Sequence, residues 1–329
     1  MDAKQLRIVY MGTPDFAVEP LRRLVEGGYR IVGVVTVPDK PAGRGLKMQQ
    51  SAVKRYAEEA LPGVPLLQPV KLKDPEFVAA FEALEADLAI VVAFRMLPEV
   101  IWAMPRLGTF NLHASLLPHY RGAAPINWAV MNGERKTGVT TFLLDHEIDT
   151  GAILMQRELS ISDTDTAGTV HDGLMELGAG LVVETVEALA AGTIRAQAQL
   201  ADGAGAGALK PAPKIFKEDC RLVAEGKRWR DYSTRSLYDK VRGLSPYPGA
   251  WCDFPGSGEV SAPRTTAKIL AAHGESFAPG EVAATADFES DGKHWLRVAC
   301  ADGWLYVDRL QVAGKRAMEV EEFLRGYRI

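Results

Sequence analysis

The sequence predicts an α/β protein in which a doubly wound, mostly parallel sheet domain is followed by a smaller β domain. Three observations carry this reading. Over the first two hundred residues, short apolar runs alternate with amphipathic stretches, the pattern of strands covered by helices on both faces. Composition then breaks at Ala201-Asp202-Gly203-Ala204-Gly205-Ala206-Gly207-Ala208, with Pro211 and Pro213 behind it, as in a flexible and then stiffened linker. Further on, short β-prone runs are broken by Pro and Gly, which suits a barrel or sandwich of roughly 110 residues. The expected division is 1–200, a linker at 201–213, and 214–329.

Leu6-Arg7-Ile8-Val9-Tyr10, Ile31-Val32-Gly33-Val34-Val35, Leu88-Ala89-Ile90-Val91-Val92 and Thr140-Thr141-Phe142-Leu143-Leu144 read as buried strands. Gly12-Thr13-Pro14, after the first, lacks G-x-G-x-x-G, and Pro14 removes a backbone donor. A tight strand-to-helix turn is therefore preferred there to a phosphate cradle. Asp74-Pro75 supplies an N-cap and a first-turn proline for a helix through Leu84, and Thr169 to Leu189 carries a long helical period. Beyond the linker, Ser236 to Arg242 reads as a helix, and Asp302-Gly303 between Trp295–Cys300 and Trp304–Leu310 reads as a hairpin turn. Trp251, Trp295 and Trp304 alternate with apolar residues in short strands and are expected to face a core.

With 329 residues and 47% hydrophobic content, the chain can bury a core in each domain. Cys220, Cys252 and Cys300 are far apart and form no C-x-x-C, so neither a disulfide framework nor a zinc site is expected. Met1 to Gln5 runs into strand-like sequence without the zones of a signal peptide, and no apolar stretch approaches about 18 residues. A cytoplasmic protein with no membrane partner is expected. The net charge of −4 argues against a wholly electrostatic nucleic-acid binder. Charge is nevertheless uneven: residues 1–209 hold 19 basic and 25 acidic side chains, residues 210–329 hold 19 and 17.

The segment Asn111-Leu112-His113-Ala114-Ser115-Leu116-Leu117-Pro118 places an amide and an imidazole two residues apart at the carboxyl end of a predicted strand. Period-2 geometry points both the same way, and ligands of doubly wound sheets sit at that end. An amide holding a developing oxyanion beside an imidazole moving protons suits acyl transfer. The imidazole needs a carboxylate to fix it, and Asp145-His146-Glu147-Ile148-Asp149-Thr150-Gly151 offers Asp145 or Asp149 on a loop expected at the same sheet edge. His146 beside Glu147 lacks the spaced partners of a zinc site.

Asn111 to Pro118, its continuation His119-Tyr120-Arg121-Gly122-Ala123-Ala124-Pro125-Ile126, and Ile148-Asp149-Thr150-Gly151 together resemble the signature of the formyltransferases that use 10-formyltetrahydrofolate. Within that family the chain is most similar to the members that act on methionyl initiator tRNA. That narrower likeness rests on Pro38-Asp39-Lys40-Pro41-Ala42-Gly43-Arg44-Gly45, Lys214-Ile215-Phe216-Lys217-Glu218-Asp219 and Ser245-Pro246-Tyr247-Pro248-Gly249-Ala250. It also uses Leu310-Gln311-Val312-Ala313-Gly314-Lys315 and Phe323-Leu324-Arg325-Gly326, so it spans both domains.

The resemblance implies a Rossmann-like formyltransferase domain and an oligonucleotide-binding-type (OB-like) barrel that touches tRNA, on which the tryptophans would be alternative base-stacking platforms. It implies catalytic roles for Asn111, His113 and Asp149, so it selects Asp149 over Asp145. It implies folate contacts at Ser115, Leu116, Leu117 and Pro118 and a pterin pocket near Phe94, Arg95, Met96 and Leu97. Arg95 stands where many members have Gly and resembles the Arg of the related purine-pathway enzyme; its role is left open. The implied co-substrate is 10-formyltetrahydrofolate, without a metal, and the implied partner of what is expected to be a monomer is initiator methionyl-tRNA.

The Lys40 to Lys47 segment, with Arg44 between glycines, is then a mobile loop for the acceptor stem. Lys40, Lys47, Lys210, Lys214 and Lys217 are further candidate RNA contacts. Two other readings stay open: a folate-dependent enzyme acting on a nucleotide-sugar amine, and a non-catalytic RNA-binding protein with a relict folate pocket.

Overall fold

The apolar runs of the first two hundred residues assemble into one seven-stranded sheet. In chain order this half supplies β1 (Ile8–Gly12), α1 (Val18–Glu26), β2 (Ile31–Val35), β3 (Lys40–Ala42), β4 (Lys47–Gln49), α2 (Ala52–Ala60) and β5 (Leu66–Leu67). It continues with α3 (Pro75–Glu82), β6 (Leu88–Val92), α4 (Glu99–Trp102), β7 (Thr109–His113), α5 (Pro125–Met131), β8 (Lys136–Leu143), β9 (Ile153–Ser160) and α6 (Ala167–Ala191). The rest adds α7 (Thr234–Gly243), β10 (Ala250–Phe254), β11 (Thr265–Ser276), β12 (Phe288–Ser290), β13 (Leu296–Ala299), β14 (Gly303–Val312), β15 (Met318–Glu319) and α8 (Val320–Gly326). The computed structural model describes residues 1–42, 47–199, 208–254, 265–278 and 287–327. Arg44 and linker residues 201–207 lie outside them.

The large sheet is ordered β5-β2-β1-β6-β7-β8-β9. From β5 to β7 all neighbours are parallel, while β7–β8 and β8–β9 are antiparallel. Every residue of β1 and β6 is buried, as expected for central strands covered on both faces. Local chemistry starts the helices: Asp74 accepts from Glu76 N at 3.1 Å with Pro75 in the first turn of α3, and Ser233 accepts from Ser236 N to start α7. Gly12-Thr13-Pro14 is a turn leading through a short 3-10 segment at Asp15–Ala17 into α1.

By compactness the chain forms two units. One contains Met1–Gly122, Lys136–Ser160 and His171–Ala212; the other contains Ala123–Arg135, Ile161–Val170 and Pro213–Ile329. The second thus recruits α5 and residues 161–170, which precede the linker in sequence. A buried ion pair explains part of this grouping. Arg242 Nε donates to Asp239 Oδ1 at 2.6 Å, and Arg242 Nη1 donates to the Asp165 carbonyl at 2.9 Å. Both side chains are about 5% exposed or less, so the guanidinium needs that carbonyl, and the Ser162 carbonyl at 3.3 Å from Nη1, to complete its partners.

The second unit carries an antiparallel sheet, β10-β11-β14-β13-β12, with β15 also paired to β14. Irregularities in the β11–β14 ladder at Ile269–Ala272 interrupt its register, and such bulges bend the sheet into a half-barrel. Of the three tryptophans, Trp304 is buried at 3% exposure. Trp251 and Trp295 are half-buried and lie under Arg221 and Arg297 respectively, each about 5 Å from the ring centre. The Asp302-Gly303 hairpin turns one residue earlier than expected. Gly303 opens β14, where a Cβ would come within 2.1 Å of the Glu275 carbonyl oxygen. Among the described residues no helix is long and apolar enough to cross a membrane.

Candidate active site

Asn111 and His113 share one face of β7, and His113 is the last residue of that strand. His113 Nε2 lies 2.8 Å from the carbonyl oxygen of Tyr120. A carbonyl can only accept, so Nε2 carries a proton and Nδ1 is left to gain or release one. Nδ1 faces Asp149 Oδ2 at 3.8 Å, with both side chains largely buried. Phe142 packs its ring edge-to-face with the imidazole at 6.4 Å. Asn111 Oδ1 is buried and accepts no hydrogen bond among the described residues. A buried amide oxygen left unpaired is costly unless a ligand completes it.

Asp149 reaches His113, but the loop that carries it does not leave the sheet at the His113 end, contrary to expectation. Because β8 runs antiparallel to β7, Leu143 lies opposite Phe110, and the chain leaves β8 at the end where β7 begins. The turn folds back to bring Asp149 to His113. Asp149 adopts φ +56° and Tyr120 φ +62°, a region that costs a non-glycine residue about 1–2 kcal/mol. Gly151 makes the return possible, since a Cβ there would lie 1.7 Å from the Leu143 carbonyl oxygen. The Gly122 N–H donates to Asp149 Oδ2 at 2.9 Å. Asp145 instead accepts from Thr150 Oγ1 and from the Glu147 N–H, so it caps its own turn.

The loop after β7 is wired internally. The Ser115 hydroxyl is fully buried and donates to the His119 carbonyl at 2.7 Å, so its side chain shapes the loop rather than facing outward. Thr140 Oγ1 donates to the Ser115 carbonyl at 2.6 Å and accepts from Leu117 N and Gln156 Nε2. Gln156 Nε2 also lies 2.9 Å from the Leu117 carbonyl oxygen. Leu117 is buried, while Leu116 and Pro118 are half-buried. Of the residues after β6, Leu97 enters the core, Phe94 is half-buried and Met96 is 75% exposed. Arg95 ties this segment to its neighbour: Nη1 and Nη2 donate to the Val70 and Pro69 carbonyls at 3.0 and 2.7 Å, and burial lowers the pKa of its guanidinium. Sequence reasoning missed Thr140, Gln156 and Gln199, the last of which bonds the Asp149 turn; nothing in their local pattern marks them.

The remaining candidates are spread out. The arms of the Lys40 to Lys47 segment are a two-stranded ribbon rather than a loop, with Lys40 opposite Gln49 and Pro41 opposite Met48. Lys40, Lys210 and Lys214 are exposed. The Lys214 ammonium stands over the Phe216 ring at 5.5 Å, and that of Lys217 over Trp251 at 5.6 Å. The linker residues after 207 are a paired segment: Tyr120 N donates to the Lys210 carbonyl at 2.5 Å and Ala212 N to the Arg121 carbonyl at 2.8 Å.

This arrangement can polarise an acyl oxygen with the Asn111 amide and pass a proton through His113 Nδ1. Comparison with known proteins points the same way. The profile described as "Formyl transferase" matches residues 6–186, and that described as "Formyl transferase, C-terminal domain" matches residues 214–328. The chain is 55% identical to the methionyl-tRNA formyltransferase of Bacteroides thetaiotaomicron, covering 100% of this chain and 98% of that protein. It is 54% identical to the enzyme of the same name from Parabacteroides distasonis, with the same coverage. Among solved structures, HypX from Aquifex aeolicus in complex with tetrahydrofolic acid superposes with a TM-score of 0.62 at 20% identity, covering 98% of this chain and 48% of that one. The Helicobacter canadensis N-formyltransferase in complex with folinic acid and dTDP-3-aminofucose gives a TM-score of 0.62 at 18% identity, covering 95% and 100%. At such identity these two establish a shared fold.

Proposed function

The chain belongs to the formyl transferase family, and we propose that it transfers the formyl group of 10-formyltetrahydrofolate to the α-amine of methionyl initiator tRNA. The carrying observation is the pairing of a buried Asn111 amide oxygen, without a partner among the described residues, with a His113 ring whose Nε2 is committed to the Tyr120 carbonyl. These groups fit the donor, because a formyl oxygen needs an N–H to bind it, and an attacking amine needs an oxygen to accept its hydrogen bond and a base to take its proton. The acceptor follows from 55% identity across both domains to a methionyl-tRNA formyltransferase, which disfavours a sugar amine or a relict binding protein.

When bound, 10-formyltetrahydrofolate supplies an electrophilic formyl carbon whose oxygen gains negative charge as the amine attacks. The Asn111 Nδ2–H donates to that oxygen, and Asn111 Oδ1 accepts from the incoming amine. His113 takes up the amine proton at Nδ1 and delivers it, directly or through water, to the folate nitrogen as its bond to the formyl carbon breaks. Asp149 stabilises the transiently protonated ring. No metal takes part in these steps.

Leu116, Leu117, Pro118, Phe94, Arg95, Met96 and Leu97 with the Ser115 backbone line the folate side in this reading. Arg44, Lys40, Lys47, Lys210 and Lys214 meet RNA phosphates, and the enzyme works as a cytoplasmic monomer with residues 1–200 and 214–329 as its domains. The test is to incubate the protein with 10-formyltetrahydrofolate and methionyl initiator tRNA, uncharged tRNA, or a nucleotide-sugar amine. Formylmethionyl-tRNA is the expected product; formyl transfer to the sugar alone overturns the reading.

A further inference from the structure

Asp149 is held in place by a side chain that the reaction above does not use. Gln199 Nε2 donates to two carbonyls of one turn, Asp149 O at 2.9 Å and Gly151 O at 2.8 Å. Its Oε1 accepts from Arg121 Nε at 3.1 Å and Nη2 at 2.7 Å. Both amide protons and the amide oxygen are therefore engaged. The turn being gripped contains Asp149 at φ +56°, a conformation that persists only where surroundings over-determine it. The other end of the grip, Arg121, lies between Tyr120, whose carbonyl orients His113, and Gly122, whose N–H binds the Asp149 carboxylate.

Gln199 lies past residue 186, where the match to the first family domain ends, on the segment that follows α6. That segment is anchored to β9 by one isolated antiparallel bridge: Ile153 N donates to Gln197 O at 2.7 Å and Gln197 N to Ile153 O at 2.8 Å. The amide is thus presented from a fixed backbone.

We infer that Gln199 is a positioning residue for formyl transfer: by tying the Asp149 turn to Arg121 it sets the separation between the Asp149 carboxylate and His113 Nδ1. The inference rests on the proposed reaction for its kinetic consequence. Gln199→Leu removes both halves of the grip. Gln199→Glu keeps an acceptor for Arg121 but sets a carboxylate oxygen against two carbonyls.

Formyl transfer by purified full-length protein should show kcat lower by about 10- to 100-fold in either variant, the scale of an ångström-sized misplacement. KM for both substrates should stay within about two-fold, because the lost contact acts in the transition state. In an Asp149→Asn background, Gln199→Leu should add no further loss, since both changes act through one carboxylate. Unchanged kcat, or losses that multiply in the double variant, overturns the inference.

A readout without substrates separates this from the reaction itself. The His113 ring nitrogen resonances, followed by 15N NMR, should move in Gln199→Leu in the same direction as in Asp149→Asn. Unmoved resonances overturn the positioning role whatever the acceptor, whereas a wild-type protein inactive on methionyl-tRNA overturns the proposed function and leaves the resonances to decide on Gln199. If Gln199→Leu does not fold, the same measurements on Gln199→Glu decide it.

Discussion

The loop that follows β7 and the ribbon made by β3 and β4 both carry motif-like sequence, yet they are held in opposite ways. The loop's Ser115 and Leu117 are joined to Thr140 of β8 and Gln156 of β9 by hydrogen bonds of 2.6–3.2 Å, and Ser115 and Thr140 are fully buried. The ribbon is fixed at its base instead. Lys54 Nζ donates to Asp39 Oδ2 at 2.7 Å and to Gln68 Oε1 at 3.0 Å, while Lys40 and Met48 beyond that point are exposed. Proton transfer fails when groups shift by an ångström, so its residues need a rigid frame. A segment that meets a large acceptor needs only a fixed root and accessible side chains.

The strongest way to break this contrast is at the rigid end. His113→Ala or Asp149→Asn should lower kcat by about 10²–10⁴-fold, roughly 3–5 kcal/mol of barrier, while folate binding measured by fluorescence titration survives. Near-normal turnover in either variant would remove the proton relay from the mechanism. Next in size, Thr140→Val keeps the shape but leaves the Ser115 carbonyl and Leu117 N–H without their partner inside the protein. Urea unfolding should show a loss of roughly 2–4 kcal/mol, and a loss below about 0.5 kcal/mol would mean the loop does not depend on that hydroxyl.

Smaller effects belong to the Lys40 to Lys47 segment and the root of the ribbon. Arg44→Ala should weaken tRNA use without altering folate affinity, and the slope of log affinity against log salt should fall by about one if a phosphate contact is lost. Equal slopes would remove Arg44 from RNA recognition. The smallest effect concerns the root of the ribbon. The bond from Lys54 holds the Asp39 carboxyl below its usual range, and Asp39 holds the Lys54 ammonium above its own. The lowered carboxyl contributes stability above the usual carboxylate range and loses it as pH falls through its lowered value. The raised ammonium contributes below the usual lysine range and loses it as pH rises through its raised value. The stability difference between wild type and Lys54→Met should therefore be largest near neutral pH and shrink toward both extremes; a difference flat across pH would show that the pair does not act as an ion pair.

Much of the fold was legible because its signals are local. Continuous apolar runs mark β2 and β6, whose predicted bounds coincide with the observed ones, and Asp74-Pro75 marks the start of α3. Shorter or half-exposed elements escaped: β5 has two residues, and β9 alternates too weakly to stand out. The ribbon arms were read as loop because Pro41 and the flanking glycines mask a pairing that only the partner strand supplies. The Arg95 side chain was left without a role since its partners, Pro69 and Val70, are backbone carbonyls some 25 residues away.

By itself the sequence determined that Asn111 and His113 face one way, because strand periodicity fixes the relation of residues two apart. It also determined a doubly wound sheet with a second β domain after the linker, because patterning and composition act over windows of ten to twenty residues. Only the tertiary structure decided how a carboxylate reaches the imidazole. The reversal of β8 sends its loop to the far end of β7, and a left-handed Asp149, a Gly151 with no room for a Cβ, and the amide of Gln199 bring it back. That geometry depends on chain direction and on partners up to 50 residues apart, which no local pattern encodes.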